Sequence, residues 1–83
     1  MYRKVSKKMR KLNELTAGED ATIADVRGDT RFLGRIASIG LTPGCKVEVL
    51  RNEKKMPLLL YGRDSVIALN REECGNILVE VSA

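Results

Sequence analysis

The residues best suited to chemistry are two glutamates and a cysteine that stand side by side near the C-terminus, Glu72, Glu73 and Cys74. Fe(II) and other transition metals accept carboxylate and thiolate ligands in proteins. Adjacent residues on a helix point in different directions, however, and Glu73 stands where a helix-capping residue belongs. Glu72 and Cys74 are therefore weak metal candidates, and no ligand motif supports Fe(II) as a bound cofactor.

Histidine is absent from the chain of 83 residues. Its absence removes the most common general base, the most common metal ligand and every serine–histidine or cysteine–histidine pair. Glycine-rich phosphate-binding patterns are also missing. Cys45 and Cys74 are far apart, and in a chain without an export signal they are expected to be reduced packing residues. We expect no catalytic residue, no cofactor and no enzyme activity.

Positive charge is concentrated at the N-terminus. Residues 1–11 hold six basic residues and no acidic one, whereas residues 12–83 hold nine basic and eleven acidic residues. A nucleic-acid-binding domain needs a basic face and stacking aromatic side chains, but the folded part is slightly acidic and the aromatic residues are two tyrosines and one phenylalanine. No specific nucleic acid partner is expected.

Residues 1–11 are predicted to form a basic tail outside a folded domain of residues 12–83. The spacing of Tyr2, Val5, Met9 and Leu12 favours an amphipathic helix, and the alternative is a flexible, solvated terminus. A basic amphipathic segment would make weak contact with an anionic membrane surface. No apolar run reaches the ~18 residues of a membrane span, and no secretory signal is recognisable, so a cytoplasmic location is expected.

The middle of the chain predicts one helix with defined ends. The carboxylate of Asp29 can cap its start, and Gly40 can adopt the left-handed conformation that ends it. One face of this helix is apolar and is expected to lie on the core. The residues on that face are Leu33, Ile36, Ala37 and Gly40, broadened by Phe32 and Ile39.

Short strands are predicted on both sides of the helix. Residues 21–28 read as the first strand, and Pro43 with Gly44 forms a type II turn into a second, half-buried strand. A polar connection follows, with Lys54 and Lys55 at its tip. The segments "LLLYG" and "SVIAL" then form a hairpin.

The last strand, "NILVEV", follows a single helical turn. Asn70 and Glu73 have the spacing of a capping box, and Gly75 ends the turn. Five short strands in so small a domain cannot form two stacked sheets. The predicted fold is therefore mainly β, a small five-stranded barrel with one inserted α-helix and a short helical turn before the last strand.

Three segments, "LNELTAGEDATIADVRGD", "GRIASIGLTPGCKVEVL" and "SVIALNREECGNILVE", closely resemble the FeoA family, ferrous iron transport protein A. The resemblance covers residues 12–82 and implies an SH3-like barrel related to the C-terminal domain of DtxR-type repressors. It also implies a cytoplasmic accessory of FeoB, a membrane ferrous-iron transporter with a GTPase domain. The family supplies no agreed catalytic or metal-binding motif, and the basic stretch before Leu12 departs from its pattern.

The leading hypothesis is regulation of ferrous iron uptake through contact with the cytoplasmic part of a FeoB-type transporter. Arg31 and Arg35, one turn apart on the outer helix face, are the predicted contact residues, together with Lys54 and Lys55. Their alternative role is a solvated face paired with nearby carboxylates. Two other functions remain open, a transition-metal-binding or metal-sensing module and, by analogy of fold alone, a nucleic-acid-binding barrel.

Overall fold

The computed structural model describes residues 7–82, which form one antiparallel sheet and two α-helices. The sheet has the strand order β1-β6-β2-β3-β4-β5. The elements are β1 (Lys7–Lys11), a 3-10 turn (Leu12–Glu14), β2 (Asp20–Val26), α1 (Thr30–Ile39), β3 (Lys46–Arg51), β4 (Leu58–Gly62), β5 (Ser65–Leu69), α2 (Arg71–Cys74) and β6 (Ile77–Ser82). The mainly β fold with one inserted helix and a short helix before the last strand is confirmed. Neither helix in this described part has the length and hydropathy of a membrane span.

Strand β1 is a sixth strand, where five were predicted. It pairs with β6 from Lys7↔Ser82 to Lys11↔Leu78, so this half of the basic stretch is neither helical nor a free tail. Pairing satisfies backbone groups that β6 would otherwise leave exposed at the edge of the sheet. Met9 is 52% exposed, which shows that the apolar spacing did not reflect a buried helix face. Residues 1–6, with Tyr2 and Val5, lie outside the described residues.

The core lies between the concave side of the sheet and the helices. Strand β3 buries Val47 and Val49 and exposes Lys46 and Glu48, as predicted for a half-buried strand. The 3-10 turn, α1 and α2 each add fully buried side chains to the same cluster. No polar or charged side chain among the described residues is buried, so apolar packing stabilises this interior.

Both predicted ends of α1 are confirmed. The side chain of Asp29 accepts a hydrogen bond from the Phe32 amide at 2.8 Å. Gly40 has φ 98°, and its N–H donates to the carbonyl of Ala37 at 3.0 Å. Leu41 then folds back: its N–H donates to the Ile36 carbonyl at 3.2 Å, and its side chain is fully buried. This is the arrangement expected of a helix that stops at a left-handed glycine.

The buried face of α1 differs from the prediction. Ile36 is buried, and Phe32 and Ile39 pack against the core, whereas Leu33 is 38% exposed and Ala37 is exposed. The helix has more apolar residues than one face can hold, so the sequence pattern does not fix its rotation. Contacts with distant parts of the chain decide which apolar residues point inward.

The predicted turns are also confirmed. The amide of Cys45 donates to the carbonyl of Thr42 at 3.0 Å across Pro43 and Gly44, and Gly44 has φ 95°, as a type II turn requires. Strands β4 and β5 are joined by Arg63 and Asp64, with φ 55° and 61°. Two central residues with positive φ match a type I′ hairpin turn.

Helix α2 begins with the predicted capping box. The Glu73 amide donates to the Asn70 side chain at 2.8 Å, and the Asn70 amide donates to the Glu73 carboxylate at 3.3 Å. Gly75 ends this helix but is not left-handed, because its φ is −66°. A side chain at position 75 would instead meet the Glu72 carbonyl at 3.3 Å and the Asn13 amide at 3.4 Å, so close approach explains this glycine.

A polar cluster that the sequence did not reveal holds α2 in place. The Asn52 side-chain amide donates to the Asn13 carbonyl at 3.1 Å, and the Arg71 guanidinium donates to the Asn52 side-chain oxygen. The same guanidinium donates to the Glu53 carbonyl at 3.1 Å. These bonds join α2 to the 3-10 turn and to the β3–β4 connection.

Two contacts attach helix α1 to neighbouring parts of the chain. Near its middle, Arg35 forms an ion pair with Glu73 of α2. At its end, a Cβ placed on Gly40 would meet the Arg63 side chain at 3.1 Å. Arg63 and Glu73 stand on either side of β5 in the chain, so α1 is attached on both sides of this strand.

We expect Gly40→Ala to lower the free energy of unfolding by about 1–3 kcal/mol, because the new Cβ requires a strained backbone and displaces Arg63. Gly34→Ala is the matched control within α1. A Cβ at position 34 meets no atom within 4 Å. This control should be more stable than the parent by up to about 1 kcal/mol. Urea denaturation measures both, and equal effects of the two variants would contradict the assigned role of Gly40.

Candidate docking groove beside the inserted helix

A groove of about 190 Å³ separates α1 from the end of β2 and the turn after the helix. Its floor is formed by Ile36 and Leu41, which are buried. We call it the helix groove. Its lining residues are Asp25, Val26, Leu33, Ile36, Ala37, Leu41, Thr42 and Pro43.

Local sequence explains the shape of this groove. Gly40 stops the helix, and Pro43 with Gly44 reverses the chain directly afterwards, so the turn stands beside the last two turns of α1. Phe32 and Ile39 pack against the core. Leu33 and Ala37 therefore form the helix wall of the groove. The surface therefore follows from the rotation of the helix.

The helix groove is suited to apolar side chains. Asp25 is the one charged residue in its lining, and its carboxylate is engaged by Arg27, with 3.1 Å between Oδ2 and Nε. The same side chain accepts a hydrogen bond from the Val26 amide at 3.0 Å. With this carboxylate already partnered, the remaining lining offers mainly hydrocarbon to a ligand or a partner.

The two predicted contact arginines of α1 have different surroundings. The Arg35 guanidinium pairs with Glu73 and lies 6.0 Å from the centroid of the Phe32 ring. These contacts attach α1 to α2 and give Arg35 a structural role. Arg31 is exposed and has no ion pair within residues 7–82. Both arginines stay predicted contact residues, since the Arg35 side chain is also 50% exposed.

Lys54 and Lys55 lie at the tip of the β3–β4 connection, as predicted, and both are exposed. Their neighbour Glu53 accepts a hydrogen bond from the Arg71 guanidinium of α2 through its backbone carbonyl, at 3.1 Å, so the lysine pair lies next to the attachment of α2.

The weak metal candidates do not converge. Cys74 is fully buried, whereas Glu72 is exposed, and Glu73 is used by the capping box and by Arg35. Burial raises the pKa of the Cys74 thiol to about 11, an effect that the positive charge of Arg71 reduces. Among the described residues, no three Cys, Asp or Glu side chains are placed to hold a metal ion. Both cysteines are free and lie in the core.

The sequence did not predict the helix wall of the groove, because the apolar pattern placed Leu33 and Ala37 in the core. The width of the apolar face could have indicated this wall. Six apolar or small residues in one short helix are more than a narrow buried stripe needs. Such an excess indicates a second apolar surface. It does not indicate which residues form that surface.

The buried thiol gives a pH-dependent stability. An unfolded Cys74 ionises near pH 9.0, whereas the folded thiol keeps its proton until about pH 11. The unfolded state therefore loses a proton first, and the free energy of unfolding should fall as the pH rises from 9 to about 11. Urea denaturation across this range should show a steeper fall in the parent than in Cys74→Ala. Parallel curves for the two proteins would contradict this assignment.

The chain is similar to proteins of one known family. The FeoA domain family matches residues 10–81. No curated protein matches the chain. Among solved structures, FeoA of Chlorobium tepidum is 29% identical, with a TM-score of 0.80 over 89% of this chain and 71% of that one.

Two further structures share the fold at lower identity. FeoA of Stenotrophomonas maltophilia, a prokaryotic SH3 domain protein solved with zinc, is 22% identical, with a TM-score of 0.68 over 82% of this chain and 86% of that one. A manganese-dependent transcriptional repressor is also 22% identical, with a TM-score of 0.83 over 94% of this chain and 44% of its own. The predicted SH3-like architecture is confirmed. Since the family match spans nearly all the described residues, the chain belongs to the FeoA family, which is linked to ferrous iron transport.

Proposed function

We propose that this protein is a small cytoplasmic accessory of ferrous iron uptake that docks on the cytoplasmic part of a FeoB-type transporter through the helix groove. Family membership supports the link to ferrous iron transport. FeoA of Stenotrophomonas maltophilia has been suggested as a bacterial ferrous iron transport activating factor. The observation that carries the proposal is Leu33, a large apolar side chain that is 38% exposed in the wall of an apolar groove.

The groove would receive an apolar side chain from a helix or loop of the transporter. That side chain would lie between Leu33 and Pro43 and rest on Leu41. Burying one leucine or phenylalanine side chain contributes about 1.5–3 kcal/mol, which makes it an effective anchor for a contact of modest area. Arg31 is exposed on the same helix and would add attraction to acidic groups of the partner.

This mode of action relies on shape and burial and requires no reacting group. The thiol of Cys74 is buried, and the cluster of Glu72, Glu73 and Cys74 does not converge. Regulation would follow if docking favours one conformation of the transporter over another, since a ligand shifts an equilibrium only by its differential affinity for the two states.

We expect Leu33→Asp to weaken binding to the purified cytoplasmic domain of the transporter by roughly tenfold or more, because a charge enters the apolar contact. Isothermal titration calorimetry measures the affinity, and thermal unfolding checks that the variant is folded. Val66→Asp is the matched control, since Val66 is 61% exposed on the β5 strand and lies outside the helix groove.

The control should bind as the parent does. If the parent does not bind at high micromolar concentration and modest salt, docking on this domain is wrong. If Leu33→Asp and Val66→Asp weaken binding equally, the contact exists but does not use the helix groove.

A further inference from the structure

The outer face of the sheet carries a second concave surface, a groove of about 570 Å³. We call it the sheet groove. It crosses β6, β2, β3 and β4 and ends at the hairpin turn that joins β4 to β5. Strand register places Asp20, Glu48 and Tyr61 in one row across three neighbouring strands of this face.

Asp20 and Glu48 are direct cross-strand partners, and both are exposed. Like charges in this position destabilise a sheet. Within residues 7–82, neither carboxylate takes part in an ion pair or a side-chain hydrogen bond. The fold therefore keeps an unfavourable pair in the lining of the sheet groove, where a positively charged group from outside would relieve the repulsion.

The basic residues of the sheet groove do not neutralise this pair. Arg63 packs against Gly40 at the C-terminal end of α1, where a positive charge is favoured by the helix dipole. Lys46 lies opposite Thr22, one row away along the strands. Asp64, in the hairpin turn, adds a further negative charge to the lining. The row of Asp20 and Glu48 thus remains negative.

Tyr61 supplies an apolar wall beside the two carboxylates. It pairs with Glu48 on one side and with Val66 on the other, and it is 44% exposed. The hydrocarbon stem of a lysine or arginine packs well on an aromatic ring while its charged end reaches carboxylates. Carboxylates and an aromatic side chain in one row are therefore complementary to a basic side chain in both charge and shape.

We propose that the sheet groove binds an extended segment of a partner protein that presents an arginine or lysine side chain. The cationic end lies between Asp20 and Glu48, and its stem packs on Tyr61. This surface is separate from the helix groove, so the inference does not rest on the proposed function. One molecule has room for both contacts, because the two linings share no residue.

The test titrates the full chain with a blocked decapeptide of alternating arginine and serine, followed by ¹⁵N–¹H correlation spectra at low salt. We expect chemical-shift changes in β2, β3 and β4, centred on Asp20, Glu48 and Tyr61. In Asp20→Asn/Glu48→Gln the affinity should fall by roughly tenfold, which corresponds to about 1.4 kcal/mol of binding free energy. The same variant should unfold at a higher urea concentration than the parent, because the like-charge pair is gone.

Glu53→Gln/Glu72→Gln is the charge-matched control, since both residues are exposed and lie outside the sheet groove. It should bind the arginine peptide as the parent does. A decapeptide with glutamate in place of arginine should cause no change in the spectra. The inference is overturned if the control loses as much affinity as Asp20→Asn/Glu48→Gln, if the glutamate peptide binds equally well, or if the shifts fall elsewhere.

Discussion

The packing of α1 against the core is the constraint on which the other features depend. Six short strands form a sheet whose two edges, β1 and β5, do not pair with each other. An exposed edge invites pairing with other chains. Helix α1 is attached on either side of β5, by the contact between Gly40 and Arg63 and by the Arg35–Glu73 ion pair. At β1 the edge carries four basic residues, whose charge opposes the approach of a second strand.

The packing of α1 explains why a helix that covers the core also forms one wall of the helix groove. Phe32, Ile36 and Ile39 pack on the core and thereby set the rotation of α1. This rotation leaves Leu33 and Ala37 beside the turn at Pro43 and brings Arg35 to Glu73. The ion pair is partly exposed and by itself contributes little stability, on the order of 1 kcal/mol or less. The helix groove is therefore a consequence of how α1 packs on the core.

The exterior of the described part of the chain carries two grooves that differ in chemistry. The helix groove is apolar and suits a hydrophobic anchor, whereas the sheet groove combines carboxylates with an exposed tyrosine. Of the two residues that follow Glu72, Cys74 is buried and Glu73 is engaged by the capping box and by Arg35. A small domain of this kind therefore carries two grooves of distinct chemistry. This arrangement supports the proposal that the protein acts by association.

The sequence by itself determined the features that depend on neighbours in the chain. The Asp29 cap, the left-handed Gly40, the turn at Pro43 and Gly44, and the alternation in β3 were all predicted, because their partners stand within a few residues. Tertiary structure alone decided that residues 7–11 form a strand, that Arg35 meets Glu73, and that Asp20 lies opposite Glu48. The partners in these contacts are distant in the chain, and only the folded sheet fixes their register and the rotation of the helix.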